Sequence, residues 1–142
     1  MTPIAPEMLP ISPANGSRKP LDADLSRLRE QLDVFPTWLR QALDDYLTWR
    51  WPTWKRQTAY SLGYRMVTNT RRIWQWLDAH CQIAGWESLT RADLQAWLQA
   101  RSQDPIKPQT IQIELNHFRM LLKFLDEHDY PIDLAIYARY SG

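Results

Sequence analysis

Thr58, Ser61, Arg65, Thr68 and Arg72 follow one another at spacings of three, four, three and four residues. On a helix that spacing sets all five on one side. Gln109, Gln112, Asn116, Arg119 and Lys123 repeat the same arithmetic, with Lys107 just ahead of them. Guanidinium and ammonium groups suit phosphate oxygens. The amides of glutamine and asparagine offer a donor and an acceptor to an adenine edge, and arginine matches guanine in the major groove. Two such rows have the chemistry to grip one DNA duplex. Neither row contains a carboxylate, whereas an ordinary solvated face mixes signs.

The whole-chain charge gives no such signal, since 17 Lys and Arg against 16 Asp and Glu leave a formal net charge of +1. Its distribution does. Acidic residues are frequent from Asp22 to Asp45 and again from Asp78, but none falls between Tyr46 and Leu77, where Arg50, Lys55, Arg56, Arg65, Arg71 and Arg72 lie. Other chemistries lack their residues. His80 beside Cys81, with His117 and His128 elsewhere, matches no ordinary zinc-ligand spacing, so no metal is expected. Glycines at 16, 63, 85 and 142 only cannot build a phosphate-cradling loop. Asp44, Asp45, Asp78, Asp126, Glu127 and Asp129 read as solvating and capping charges rather than an acid–base pair. Tyr137 and Tyr140 have no arginine and histidine neighbours to activate them as nucleophiles. Neither a cofactor nor a small-molecule substrate is expected.

The elements that must carry the rows follow from periodicity. A length of 142 residues suits one core, with spare length in tails. No apolar run approaches the roughly 18 residues of a membrane span, the first residues lack a secretory signal, and the single Cys81 fits a reducing compartment; a soluble, cytoplasmic protein with no membrane partner is expected. Residues 1–20, with five prolines and Asn15-Gly16-Ser17, read as a disordered arm. Leu21, Leu25, Leu28 and Leu32 predict a short amphipathic helix, and a second is expected from Pro36 to about Arg50, where Pro52 stops it. A long helix is predicted from about Lys55 to Ala84, weakened or bent at Gly63 and closed by Gly85 in the left-handed conformation. Thr90-Arg91-Ala92-Asp93 predicts a capping-box variant opening the next helix, whose buried face is Leu94, Trp97 and Leu98. Pro108 opens a last long helix to about His128, with Ile111, Leu115, Phe118, Leu121, Leu122 and Leu125 as its apolar face. Ile132 to Tyr140 reads as a short helix or the start of a linker. No stretch alternates at period two, so the fold class is all-α. Most of the eight tryptophans read as core, whereas Trp51 and Trp54, beside Lys55 and Arg56, are placed either in the core or on a contact surface.

The order of these elements resembles that of a known family. Trp38-Leu39-Arg40-Gln41-Ala42-Leu43-Asp44-Asp45-Tyr46-Leu47, Asn69-Thr70-Arg71-Arg72-Ile73-Trp74-Gln75-Trp76-Leu77 and Leu89-Thr90-Arg91-Ala92-Asp93-Leu94-Gln95-Ala96-Trp97-Leu98 carry the resemblance, together with Pro108-Gln109-Thr110-Ile111-Gln112 and Leu115-Asn116-His117-Phe118-Arg119-Met120-Leu121-Leu122-Lys123-Phe124-Leu125. From about Phe35 to Ile132 the chain resembles the SAM-like core-binding domain of phage-type integrases and other tyrosine recombinases, more narrowly the transposon-borne branch. The resemblance implies a compact orthogonal bundle of four main helices, here with an extra short N-terminal helix, spanning 21–132, with 133–142 a tail or linker. It implies duplex DNA as partner, with other recombinase subunits as further partners, in DNA integration and recombination. The helices corresponding to the long one and the last one would approach the major groove. The family's catalytic domain has no counterpart before Gly142, so the chain is expected to bind DNA without being an enzyme. The alternative is a helical protein-interaction module that regulates or pairs with a recombinase, with Trp51 and Trp54 exposed in one apolar patch and the Arg65–Arg72 row tied up in internal salt bridges.

Overall fold

The computed structural model describes residues 18–137. Residues 1–17 of the proline-rich arm, and Tyr140, lie outside them. Among the described residues the chain is helical and has no strand. Helix α1 spans Asp22–Glu30, α2 Thr37–Arg50, α3 Arg56–His80, α4 Arg91–Arg101, α5 Pro108–Glu127 and the short α6 Leu134–Tyr137.

Apolar spacing explains which face each helix buries. Leu25 and Leu28 of α1, Leu39, Ala42, Leu43, Tyr46 and Leu47 of α2, Met66, Val67, Ile73, Trp74 and Leu77 of α3, Leu94 and Trp97 of α4, and the predicted apolar face of α5 make one core. Helix α3 is the spine, packing against α1, α4 and α5. The helix runs unbroken through Gly63. A Cβ there would stand 2.5 Å from Leu28 Cδ1 and 3.5 Å from Leu47 Cδ2, so the glycine lets α1 and α2 lie close to the spine.

The Thr90 capping box forms as predicted, with the Asp93 amide donating to Thr90 Oγ1 at 3.2 Å and the Thr90 amide donating to Asp93 Oδ2 at 2.9 Å. Two expected boundaries are corrected. Helix α3 ends at His80 rather than near Ala84, and Gly85 is extended (φ 176°) rather than left-handed. Residues 81–85 run as a strap that brings Trp86 into the core, where Trp38 meets both Trp74 and Trp86 edge-on with centroids 5.4 and 4.9 Å apart. At the other end residues 133–137 of the expected tail are part of the fold, and the rest of it lies outside the described residues. Ile132 and Ile136 are buried, α6 packs on α4 and α5, and Arg91 Nη1 donates to the Ala135 carbonyl at 2.8 Å. The end of the arm is also tied down: Pro20 is buried, and Arg56 donates to the carbonyls of Arg18 and Lys19 at 3.0 and 3.1 Å.

Candidate nucleic-acid interface

Helix α3 carries the first row. Thr58, Ser61, Arg65 and Arg72 are exposed on it. Thr68 is not usable as expected: its Oγ1 is buried and has no hydrogen-bond partner among the described residues. Among the described residues no ion pair holds Arg65, so its guanidinium faces solvent with its donors available. Arg72 differs. Its side chain is 43% exposed, yet Nη1 donates to Glu114 Oε2 of α5 at 2.9 Å.

Glu114 belongs to neither polar row of the sequence. It lies three residues after Ile111 and four before Phe118, in register with the apolar face, and is 2% exposed. A carboxylate at such a register must have a cationic partner, and that is the signal it carried. It has two. Arg101 of α4 grips it with both prongs, Nε to Oε1 at 2.9 Å and Nη2 to Oε2 at 2.8 Å, and also donates to Asp104 at 2.9 Å. These carboxylates raise the pKa of the Arg101 guanidinium, Glu114 foremost through its hydrogen bond. One buried anion thus joins α3, α4 and α5, and it takes up part of the charge of Arg72.

The α5 row lies elsewhere. Glu114 and His117 of α5 meet α3, through Arg72 and through the 3.1 Å contact of Asn69 Nδ2 with His117 Nδ1. At about 100° per residue, the direction of Gln109, Gln112, Asn116, Arg119 and Lys123 is about 150° around the helix from that contact. Their row therefore points away from α3, and the two rows do not form the single two-helix grip that was expected. Gln112 Nε2 donates to Asn116 Oδ1 at 3.2 Å, Lys107 is exposed at the head of α5, Arg119 is partly buried, and Lys123 lines an open groove against α2 with Tyr46, Trp49, Arg50, Met120 and Phe124. By register, the α5 residues beside the α3 row are Thr110, Ile113 and His117, none of which the spacing singled out.

The tryptophans resolve into core and surface. Trp51 is buried and Trp54 half-buried against it, so the exposed patch expected of these two does not exist. The exposed indole is Trp49. His80 and His128 each turn a ring nitrogen to the carbonyl four residues back, of Trp76 and Phe124, whereas His117 Nδ1 stands between the Asn69 amide and the Ile113 carbonyl and can bond to one of them at a time. Among the described residues no cluster of His, Cys, Asp or Glu could hold a metal ion, and no helix is long and apolar enough to cross a membrane.

Comparison with protein-family models, with curated proteins and with solved structures found no match.

Proposed function

We propose that the chain is a cytoplasmic duplex-DNA-binding module of the kind that precedes the catalytic domain in tyrosine recombinases, holding DNA while strand chemistry belongs to another domain. The observation that carries the reading is the exposed face of α3. Thr58, Ser61, Arg65 and Arg72 stand in line there, on a segment without a carboxylate from Tyr46 to Leu77. Such a face attracts phosphates over the length of the helix, and the helix is held rigidly enough by α1, α4 and α5 to present it in one geometry. The all-helical fold of the described residues supports the reading at the level of fold class, and the SAM-like arrangement is what the sequence resemblance implies.

Helix α3 is the primary contact in this reading. The α5 row is a separate surface, reached only if the duplex bends or a second duplex segment lies against it. Half of a clamp binds weakly, with a Kd of about 10⁻⁴–10⁻⁶ M at physiological salt as for non-specific modules. Fluorescence anisotropy of a labelled duplex tests it, with the wild-type chain beside Arg65→Ala/Arg72→Ala. Binding at low salt that the double variant lacks supports the proposal. Equal binding by both removes α3 from the interface.

A second reading rests on the α2–α5 groove, where Trp49 is 47% exposed beside Met120. Exposed indoles are enriched at protein contacts, and this groove, not the Trp51–Trp54 pair, is where another recombinase subunit would dock.

A further inference from the structure

Beside the basic row, α3 carries an aromatic ladder that duplex binding leaves unused. Tyr60 and Tyr64, one turn apart, are stacked with ring centroids 6.1 Å apart and planes 18° from parallel. The Arg27 guanidinium of α1 lies over the Tyr60 ring at 4.3 Å from its centroid, and the Tyr60 hydroxyl accepts from Gln31 Nε2 at 3.4 Å. Arg27 is itself held by Asp24 at 3.0 Å, so it backs the ladder from behind rather than serving as a free cation. Tyr64 is different: it is 41% exposed and makes the outer member of the stack.

The position of Tyr64 defines what it would meet. It lies three residues after Ser61, on the flank of the row, and Arg65 follows it in the sequence, about 100° further round the helix. A planar, pre-ordered ring on the helix that carries the exposed Arg65, in a segment whose own sequence holds no carboxylate, fits a ligand that is both flat and anionic. A peptide would bring one property or the other; a nucleotide brings both, and base–aromatic stacking tolerates any base.

We infer that Tyr60 and Tyr64 form a stacking seat for one unpaired nucleobase of a DNA strand, whose phosphate is met by Arg65. This rests on the DNA-binding reading above and adds to it a preference for duplex next to single strand. Tyr64 stacks on the base, Tyr60 and Arg27 keep Tyr64 in place, and the row next to it holds the paired part.

The test titrates the full chain against a blunt labelled duplex and against the same duplex carrying a five-nucleotide single-stranded tail. The inference expects the tailed duplex to bind about five-fold or more tighter, in line with one base–aromatic stack. Tyr64→Ala, at an exposed position with folding checked by circular dichroism, should remove that advantage while leaving blunt-duplex binding within about two-fold; Tyr64→Phe should keep it. A wild-type chain indifferent to the tail overturns the stacking seat, as does a Tyr64→Ala variant that retains the advantage or weakens both probes equally, and in all these cases duplex binding itself stands. A chain that binds neither probe overturns the DNA-binding reading and the seat with it.

Discussion

Replacing Glu114 with glutamine keeps the shape of the side chain and removes a charge that joins three helices. The carboxylate accepts three charge-assisted hydrogen bonds of 2.8–2.9 Å while 2% exposed, two from Arg101 and one from Arg72. Breaking a buried pair by removing one partner costs about 3–5 kcal/mol, because the other charge stays behind without compensation. Two features lower that figure. The Arg72 contact is nearly half in water and contributes about 0–1 kcal/mol. Arg101, with its side chain 19% exposed, keeps Asp104, and a glutamine oxygen still accepts one of its bonds. The net loss expected for Glu114→Gln is about 3 kcal/mol, which for a domain of this size lowers Tm by about 10 °C. Urea unfolding followed by tryptophan fluorescence measures it, since four of the eight indoles, Trp51, Trp74, Trp86 and Trp97, are buried and report on the core. The double substitution Glu114→Leu/Arg101→Met should lie closer to the wild type than Glu114→Gln does, because no charge is then stranded. A single-variant loss under about 1 kcal/mol would refute the reasoning, for it would mean that the desolvation of Glu114 already cancels its bonds.

At Gly63 a methyl group would gain up to about 1 kcal/mol of helix propensity but must displace a fully buried Leu28 methyl 2.5 Å away, an overpacking cost of about 1–3 kcal/mol. Gly63→Ala is therefore expected to lower stability by about 1 kcal/mol in the same urea assay, and a raised midpoint would contradict the close approach of α1 to α3. Burial, and then the hydrogen bond to Asp45, push the Tyr130 hydroxyl up to about 12 from an ordinary 10. An unfolded tyrosine loses its proton near pH 10 and the folded one near 12, so this stabilisation is fully present below pH 10 and is lost as pH rises from 10 to 12. Discounted for its partial exposure it amounts to roughly 1 kcal/mol. Tyr130→Phe should flatten the fall in stability between pH 10 and 12, and an equally steep fall in both proteins would dismiss the contact.

Helix faces were readable wherever apolar spacing was regular, as in α1, α2 and α5, and where a cap had its own chemistry, as at Thr90 and Asp93. The end of α3 was not, because Cys81 and Ala84 continue its apolar stripe although the chain there extends to seat Trp86 between Trp38 and its neighbours. Ile136 belongs to the core for a reason no local pattern carries: α4 and α5 leave a place that α6 fills. Spacing fixes a face within one helix, and it set Thr58, Ser61, Arg65 and Arg72 on the exposed side of α3 while also admitting Thr68, whose hydroxyl is buried. It cannot fix how two faces turn relative to each other. That depends on Asn69, Arg72, Glu114 and His117, whose pairings join residues more than forty positions apart. Trp51 and Trp54 were ambiguous for the same reason, because burial of a turn residue is decided by what packs over it.

The central claim is that the α3 face meets DNA phosphates, and the dependence of duplex affinity on salt tests it most directly. For wild type, Arg65→Ala and Arg65→Ala/Arg72→Ala, the slope of log Kobs against log salt should step down, by about 0.9 for Arg65 and by less for Arg72, whose charge is partly met by Glu114. Identical slopes in all three proteins, or no duplex binding at the lowest salt, would contradict it.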